Sequence, residues 1–364
     1  MWDMLIAPYL PIRNPSTVGA WDLVPLRDAA RPANELDPPR EWIVPEGREA
    51  ILRLAEAYRM DDTTMPLGAL VAPIGGKVGD PVNRSAMDDL RRALVAGCIA
   101  NNPMLATPEE KQEDPNAGHA IGTAENGSLW GHPIDGGVSY AIETGFLART
   151  TRFMTAMPPE PLPKVPAPIE VPTSLFGTFD VELASATHAA LTDGTEEAMR
   201  FGRCLDWYEV IYSNASTIPA SVRVGAARSA MEAFWGTDDT KKVIRRYGRL
   251  VSPDAPTTVY GPDEVRWADG AVHLTADEWW LHRLTKLRNT IAHGRAVPAD
   301  LWEHDEQHQV NQVHDRLITM LKRIVAAHAG DPLLEFRVGD RLFPRIEQEL
   351  AARLREAQQL EEPE

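Results

Sequence analysis

The chain has few cysteines, no long apolar run and no basic leader. Cys98 and Cys204, the two cysteines among 364 residues, lie far apart in apolar segments. Such positions are typical of buried, reduced thiols, and no cysteine pair has the spacing of a structural zinc site. No run of about 18 apolar residues predicts a transmembrane helix, and the first residues lack the basic region of a signal peptide. We therefore expect a cytoplasmic protein with no membrane partner, no metal and no other cofactor.

Positive charge is also scarce, because 37 lysines and arginines face 53 acidic residues, and the formal net charge is −16. The molecule as a whole should repel polyanions, which argues against general coating of nucleic acid or of an anionic membrane. A local basic site for RNA remains open, since binding depends on the field near the site.

A proline-rich stretch divides the chain into two parts of different character. Seven prolines occur in PPEPLPKVPAPIEVP, and proline favours extended geometry in itself and in the residue before it. We predict a linker at 158–172, with an N-terminal domain at 1–157 and a helical bundle at 173–335. A C-terminal helix and acidic tail would follow at 336–364. An extended edge packed on one domain is the alternative for the proline stretch.

The N-terminal part mixes strand and helix patterns. Short apolar segments near residue 5, at 41–45 and in GALVAPIGG predict strands, whereas 46–60 and 85–102 have helical periodicity, the second capped by Ser85. This combination predicts an α+β domain. The stretch APIGGKVGD lacks the first glycine and the hydroxyl of a P-loop, so we interpret it as a tight turn.

Beyond the linker the periodicity is helical and predicts an all-α bundle. One segment places most of its apolar residues on one broad face: Met199, Phe201, Leu205, Tyr208, Val210 and Ile211. Another, TADEWWLHRLTKLRNTIAHG, begins with Thr275 and Glu278 at capping-box spacing and stops at Gly294.

The end of that second segment carries a polar set. On a helical wheel its core face collects apolar residues, namely Trp280, Leu281, Leu284, Leu287 and Ile291. Arg288 falls on the edge of this stripe, and Asn289 and His293 are neighbours on the opposite side. His293 and Gly294 are compatible with ordinary helix termination. The alternative is phosphodiester chemistry, because arginine binds phosphate and histidine moves protons at neutral pH.

RNTIAH (288–293) matches the R-x4-H motif of the HEPN superfamily. Together with LDWYEVIYSN (205–214) and RSAMEAFWG (228–236), it resembles the Apea-like HEPN family of bacterial defence proteins over residues 175–335. A toxin branch of the superfamily has a tyrosine two residues after the histidine, and this chain has Arg295 there. The resemblance therefore favours the Apea-like branch.

The resemblance implies a homodimer in which two R-x4-H helices face each other and cut RNA without a metal. Arg288 would hold the scissile phosphate, His293 would act on the ribose 2′-OH or the leaving oxygen, and Asn289 would orient either group. The substrate would be tRNA or another structured RNA, and the products a 2′,3′-cyclic phosphate and a 5′-hydroxyl. The N-terminal domain would sense a phage-derived trigger. Some members are inactive dimerisation or binding modules for RNA, nucleotide or protein, which is the alternative function.

Other residues are weaker candidates. Glu232 lies among apolar residues and is a candidate partner for Arg288, although an exposed or capping role is equally compatible. His304, His308 and His314 have partial metal-ligand spacing, but the Gln and Asn residues around them favour a solvent-facing surface. We predict that basic residues of KKVIRRYGR and one beyond the motif contact RNA, with the tyrosine stacking on a base: Lys241, Lys242, Arg245, Arg246, Tyr247 and Arg295.

Overall fold

The computed structural model describes residues 4–28, 68–74, 84–99, 140–142, 148–150, 179–212, 219–253, 265–297 and 306–334, apart from residues 9, 11, 13, 26, 27, 268, 269 and 333. Within these ranges the predicted order is confirmed, since an antiparallel sheet near the N-terminus is followed by helices. No helix in the described ranges has the length and apolarity needed to cross a membrane.

Six short strands form the sheet: β1 (Met4–Pro8), β2 (Ser16–Val18), β3 (Trp21–Pro25), β4 (Gly68–Pro73), β5 (Tyr140–Ile142) and β6 (Ala148–Thr150). Their order is β2-β3-β4-β1-β6-β5, and every neighbouring pair is antiparallel. The predicted strands at the N-terminus and in GALVAPIGG are confirmed as β1 and β4. In the central pair, Leu5 of β1 lies opposite Val71 of β4.

One helix of the N-terminal part packs on the helical part. Helix α1 (Arg84–Ile99) confirms the predicted periodicity, but it begins at Arg84, so Ser85 lies within its first turn and is not the residue before it. Helix α2 (Val181–Leu191) is capped by Asp180, whose carboxylate accepts from the backbone N–H of Leu183 at 2.8 Å. The backbone N–H of Asp180 donates to the carbonyl of Gly97 at 3.0 Å, which joins α2 to α1.

The remaining helices are α3 (Glu196–Tyr212), α4 (Ala220–Trp235), α5 (Thr240–Val251), α6 (Ala276–Ala292) and α7 (Glu306–Ala329). A two-stranded hairpin, β7 (Val265–Trp267) and β8 (Gly270–Val272), separates α5 from α6. The expectation of a purely α-helical C-terminal part is therefore wrong in this detail. The alternation of Val265, Arg266 and Trp267 and the Asp-Gly pair at 269–270 are the sequence signals of this hairpin.

A single apolar core includes buried residues of the sheet, of α1 and of the later helices. On α3, the predicted buried face is confirmed for Phe201, Leu205, Tyr208 and Ile211, but Met199 is 60% exposed. Cys204 is buried as predicted, and burial raises the pKa of its thiol far above the ordinary range. The predicted elements at 41–60, the turn beyond Ile74, the linker at 158–172 and the C-terminal helix at 336–364 lie outside the described residues.

Candidate functional site

Helix α6 is fixed in the core along one side and ends at the R-x4-H motif. Trp280, Leu281, Leu284 and Leu287 are buried, as the helical wheel predicts. At its start, the Thr275 hydroxyl accepts from the Glu278 backbone, and the Glu278 carboxylate accepts from the Thr275 backbone at 3.0 Å. This capping box confirms the predicted N-terminus. Both features hold the helix, and therefore its last two turns, in one position.

The C-terminal end of α6 is a Schellman motif. Gly294 has φ +62° and follows the cap residue His293. The Gly294 N–H donates to the Ile291 carbonyl at 2.9 Å, and the Arg295 N–H donates to the Thr290 carbonyl at 3.0 Å. Gly294 therefore has the left-handed conformation that is typical of ordinary helix termination. The backbone at His293 is thus part of a hydrogen-bonded helix end, while its side chain remains exposed.

Arg288 and Asn289 contact each other at the edge of this surface. Arg288 Nη1 donates to the Asn289 side-chain oxygen at 3.0 Å. The Arg288 side chain keeps 35% of its surface exposed, and Asn289 is exposed. A charged donor, an amide and an imidazole therefore lie on the same solvent-facing end of one helix. Together they offer donors for a phosphate and an imidazole, the side chain that most often transfers protons in enzymes.

Glu232, on α4, lies between two arginines. Its Oε2 is 4.0 Å from Arg288 Nη2, and its Oε1 is 3.4 Å from Nη2 of Arg228, one turn earlier on α4. Charge-assisted N–H···O bonds are normally about 2.7–2.9 Å long. The carboxylate is therefore shared by two guanidinium groups without a short hydrogen bond to either. Its side chain is 24% exposed, so the shared anion is largely shielded.

Arg228 is a charged residue of this site that the sequence analysis missed. Its side chain is fully buried, and its Nε donates to the Thr285 hydroxyl of α6 at 3.1 Å. Neither Nη atom donates a hydrogen bond to any side chain or backbone group in the described ranges. Burial lowers the pKa of Arg228, and the Glu232 carboxylate opposes that shift. A usable signal existed, because Arg228 shares the i, i+3, i+4, i+7 spacing of Val224, Ala227 and Met231, all buried.

Hereafter, the arginine cluster means Arg228, Glu232, Thr285 and Arg288. The cluster joins α4 to α6, and its contacts advance by about one turn on both helices. Two positive charges and one negative charge leave it with an excess of one positive charge. The excess is exposed at Arg288, because Arg228 is buried. An anion would therefore meet this cluster at Arg288.

The predicted RNA-binding residues of helix α5 differ in their exposure to solvent. Lys241, Lys242 and Arg246 are exposed, but Arg245 pairs with Glu278 of the α6 cap at 2.7 Å. The prediction for Tyr247 is wrong, because its side chain is fully buried between rings of Trp235 and Trp280. Burial also raises the pKa of the Tyr247 hydroxyl well above its ordinary range. The tyrosine belongs to the core and does not stack on a base. Arg295 is exposed beyond the end of α6.

The histidines of α7 do not form a metal site in the described part of the chain. No group of three or more histidine, cysteine or acidic side chains there has suitable geometry. The prediction that His314 faces solvent is wrong: it is fully buried, with Nε2 3.3 Å from the carbonyl oxygen of Ile211. Burial lowers the pKa of His314 to about 4. His304 and the side chain of His308 lie outside the described residues.

A cavity of about 560 Å³ opens at the C-terminal end of α4. Phe234, Trp235, Arg200 and Arg246 are among its lining residues, whereas Arg288, Asn289 and His293 are not. The candidate catalytic set therefore lies on an open helix end and not in this cavity. An open surface of this kind suits a macromolecular substrate better than a small molecule, which would need an enclosed pocket.

No family model, curated protein or solved structure matches this chain.

Proposed function

We propose that this protein is a metal-independent endoribonuclease of the HEPN type that acts in bacterial defence against phage. The observation that carries the proposal is the arrangement at the end of α6. Arg288 is partly exposed and bonded to Asn289, and His293 extends into solvent one turn further along the same helix. The sequence resemblance of RNTIAH and its neighbouring helices to Apea-like HEPN proteins gives this arrangement a chemistry.

In the proposed reaction, the ribose 2′-OH attacks the adjacent phosphorus while the bond to the 5′ oxygen breaks. His293 takes the 2′-OH proton or gives a proton to the departing oxygen. Arg288 binds the phosphate and offsets the negative charge that develops on its oxygens, and Asn289 orients either group. The products are a 2′,3′-cyclic phosphate and a 5′-hydroxyl. Every transferred proton moves between the RNA, an imidazole and water.

The proposed active form is a homodimer. One imidazole cannot stand on both sides of the phosphorus at once, so a base and an acid require two groups. Asn289 and His293 point away from the helix's own core, and within the described residues no other helix covers them. A second copy of the same helix would supply the second histidine. The N-terminal part, packed on the bundle through α1 and α2, would then receive the phage-derived trigger.

The first test replaces the two reacting side chains in the full-length protein. We expect Arg288→Ala and His293→Ala each to lower RNA cleavage by at least about a hundredfold, the usual scale for a lost proton-transfer or charge-stabilising group. Lys286→Ala is a matched control, because Lys286 is an exposed cation on the same helix. The measurement is sequencing of RNA ends in cells that express each variant, which gives activity, substrate and cleavage position together. Equal cleavage by wild type and both variants would show that the proposal is wrong.

A binding module is the second candidate function. Within the described residues no carboxylate lies within ion-pair distance of the His293 side chain, so no acid there orients the imidazole. That geometry suits a residue that only contacts a ligand. On this alternative, His293→Ala and Arg288→Ala would weaken RNA binding or dimer assembly, and wild-type cells would show no new RNA ends.

A further inference from the structure

The arginine cluster contains a carboxylate that two guanidinium groups share. Glu232 is 3.4 Å from Arg228 Nη2 and 4.0 Å from Arg288 Nη2, so both contacts are longer than a normal ion-pair hydrogen bond. A displacement of Glu232 toward Arg228 of less than 1 Å would therefore shorten that contact to a normal charge-assisted hydrogen bond, and it would lengthen the contact to Arg288.

The two arginines differ in what they can bind. Arg228 is fully buried, so no RNA phosphate can reach its Nη atoms. Neither Nη atom donates a hydrogen bond within the described residues. Arg288 is 35% exposed and can take an anion from solvent. A buried guanidinium with unused donors is costly, and the Glu232 carboxylate relieves most of this cost, with a smaller contribution from Asp238.

We infer that Arg228 is a positioning residue that takes the Glu232 carboxylate when a phosphate takes Arg288. Before RNA binds, Glu232 neutralises both arginines in part. When a phosphate pairs with Arg288, Glu232 moves fully onto Arg228, and each guanidinium then has one anion. Thr285 holds Arg228 in place for this exchange through the bond to Nε. The inference rests on the proposed function, because it assigns a phosphate to Arg288.

The exchange predicts a specific failure when Arg228 is removed. In Arg228→Met the long side chain still fills the core, but Glu232 has Arg288 as its remaining partner. The carboxylate then competes with phosphate for Arg288. Adding Glu232→Gln to this variant removes both the competitor and the need for its buried counter-ion. The double variant should therefore bind RNA more tightly than the single variant, which a purely structural role for Arg228 does not predict.

The binding experiment uses the full chain and a fluorescent 2′-O-methyl oligoribonucleotide of mixed sequence, which cannot form the cyclic phosphate. We expect Arg228→Met to raise its dissociation constant by about tenfold, the scale of one charge-assisted contact. Arg228→Met/Glu232→Gln should return to within about threefold of wild type, again well under the scale of one such contact. Wild-type affinity in Arg228→Met, or a double variant as weak as the single one, would overturn the inference.

Arg288→Ala separates the inference from the proposed function. If Arg288→Ala binds the oligonucleotide as well as wild type does, or if wild type does not bind it, the phosphate role of Arg288 is wrong and both ideas fall. If Arg288→Ala loses binding while Arg228→Met does not, the inference alone fails. Thermal unfolding of each variant shows whether it is folded.

A second measurement needs no variant and remains decisive if Arg228→Met does not fold. Crystal structures of the wild-type chain with and without the same oligonucleotide give the distance between Glu232 Oε1 and Arg228 Nη2. We expect this distance to shorten from 3.4 Å to about 2.8 Å, the length of a charge-assisted bond, when a phosphate occupies Arg288. An unchanged Glu232 beside a bound phosphate would overturn the inference.

Discussion

Side chains at the candidate site differ in how firmly each is held. Arg228 is buried and bonded to Thr285, Glu232 is partly shielded, Arg288 is partly exposed, and His293 is exposed. Solvent exposure therefore increases stepwise from Arg228 in the core to His293 at the helix end. This gradient suits a site in which the outer groups meet the substrate and the inner groups set their charge and direction.

His314 supports a prediction about pH at the residue scale. Its pKa in the folded protein is lowered to about 4, from an ordinary value of 6.5, chiefly by burial. Between these values the unfolded chain binds a proton that the folded chain does not. The stabilising contribution of His314 is therefore fully present above pH 6.5 and is lost as pH falls toward 4. The contribution of this residue is about 3 kcal/mol at most.

We expect His314→Gln to flatten the decrease in unfolding free energy between pH 6.5 and pH 4, because a glutamine amide can still donate to the Ile211 carbonyl without titrating. His273→Gln is the control, since His273 is exposed. Chemical denaturation at a series of pH values measures both. A slope in His314→Gln as steep as that of His273→Gln would contradict the assignment.

The burial of a single residue could be predicted from the sequence only where the spacing of apolar residues along its own helix determines it. The wheel of α6 predicted its buried face because the apolar stripe is regular. Tyr247 was misjudged because it lies in a basic run, and the aromatic rings that enclose it, Trp235 and Trp280, come from other helices. Met199 was misjudged in the opposite direction, since it falls on the apolar face of α3 by spacing and yet is 60% exposed, although the adjacent Ala198 is buried.

Gly225, inside α4, and Gly294, just after the end of α6, have different backbone conformations. Gly294 ends α6 with φ +62°, a conformation that costs other residues about 1–2 kcal/mol. Gly225 lies inside α4, and a Cβ added there would meet no atom within 4 Å. Gly294 also has no atom within 4 Å of an added Cβ, so the two positions differ in backbone conformation and not in space.

We therefore expect opposite effects from the same substitution. Gly294→Ala should lower the unfolding free energy by about 1 kcal/mol and loosen the position of His293. Gly225→Ala should raise it by roughly 0.5–1 kcal/mol, because alanine favours the helix. Urea denaturation of both variants checks the pair. Stabilisation by Gly294→Ala would show that the left-handed helix end does not persist in solution.

Element boundaries followed from the sequence where a cap or an apolar face was explicit. The capping box of α6 and the stripe of α1 predicted two helices, and short apolar runs predicted β1 and β4. The hairpin β7–β8 was not predicted, because each strand has three residues, fewer than the roughly four to eight over which alternation identifies a strand. Strand order was also beyond reach, since β1 pairs with β4 and β6, far away in sequence.

On the scale of the whole molecule, α1 connects the N-terminal part to the helices that carry the site. Gly97 of α1 allows this approach. A Cβ there would lie 2.5 Å from the Phe179 ring and 2.8 Å from the Asp180 carbonyl oxygen. Arg92 of α1 adds two hydrogen bonds to Asp206 of α3, at 2.8 and 2.9 Å. The boundaries of two domains remain predictions, but the described residues before and after the predicted linker share one core.

Gly97→Ala tests this connection. We expect a loss of about 1–3 kcal/mol of unfolding free energy, because the added methyl group forces α1 away from α2 although alanine favours the helix itself. Gly225→Ala is the matched control, with the same chemical change and no close neighbour. Calorimetry of the full chain gives the transition temperature and its width. A Gly97→Ala protein as stable as wild type would show that the two parts do not pack in this way.

The ion pair between buried Arg228 and half-buried Glu232 also restricts the mutational routes open to this chain. Losing Glu232 alone leaves the buried Arg228 guanidinium uncompensated, and losing Arg228 alone leaves Glu232 competing for Arg288, so each single step costs stability or RNA binding. His293, exposed at a helix end, can change without that penalty. A lineage that abandons the proposed reaction should therefore lose the imidazole first and keep the inner ion pair long afterwards. The inner pair would then outlast the activity it serves.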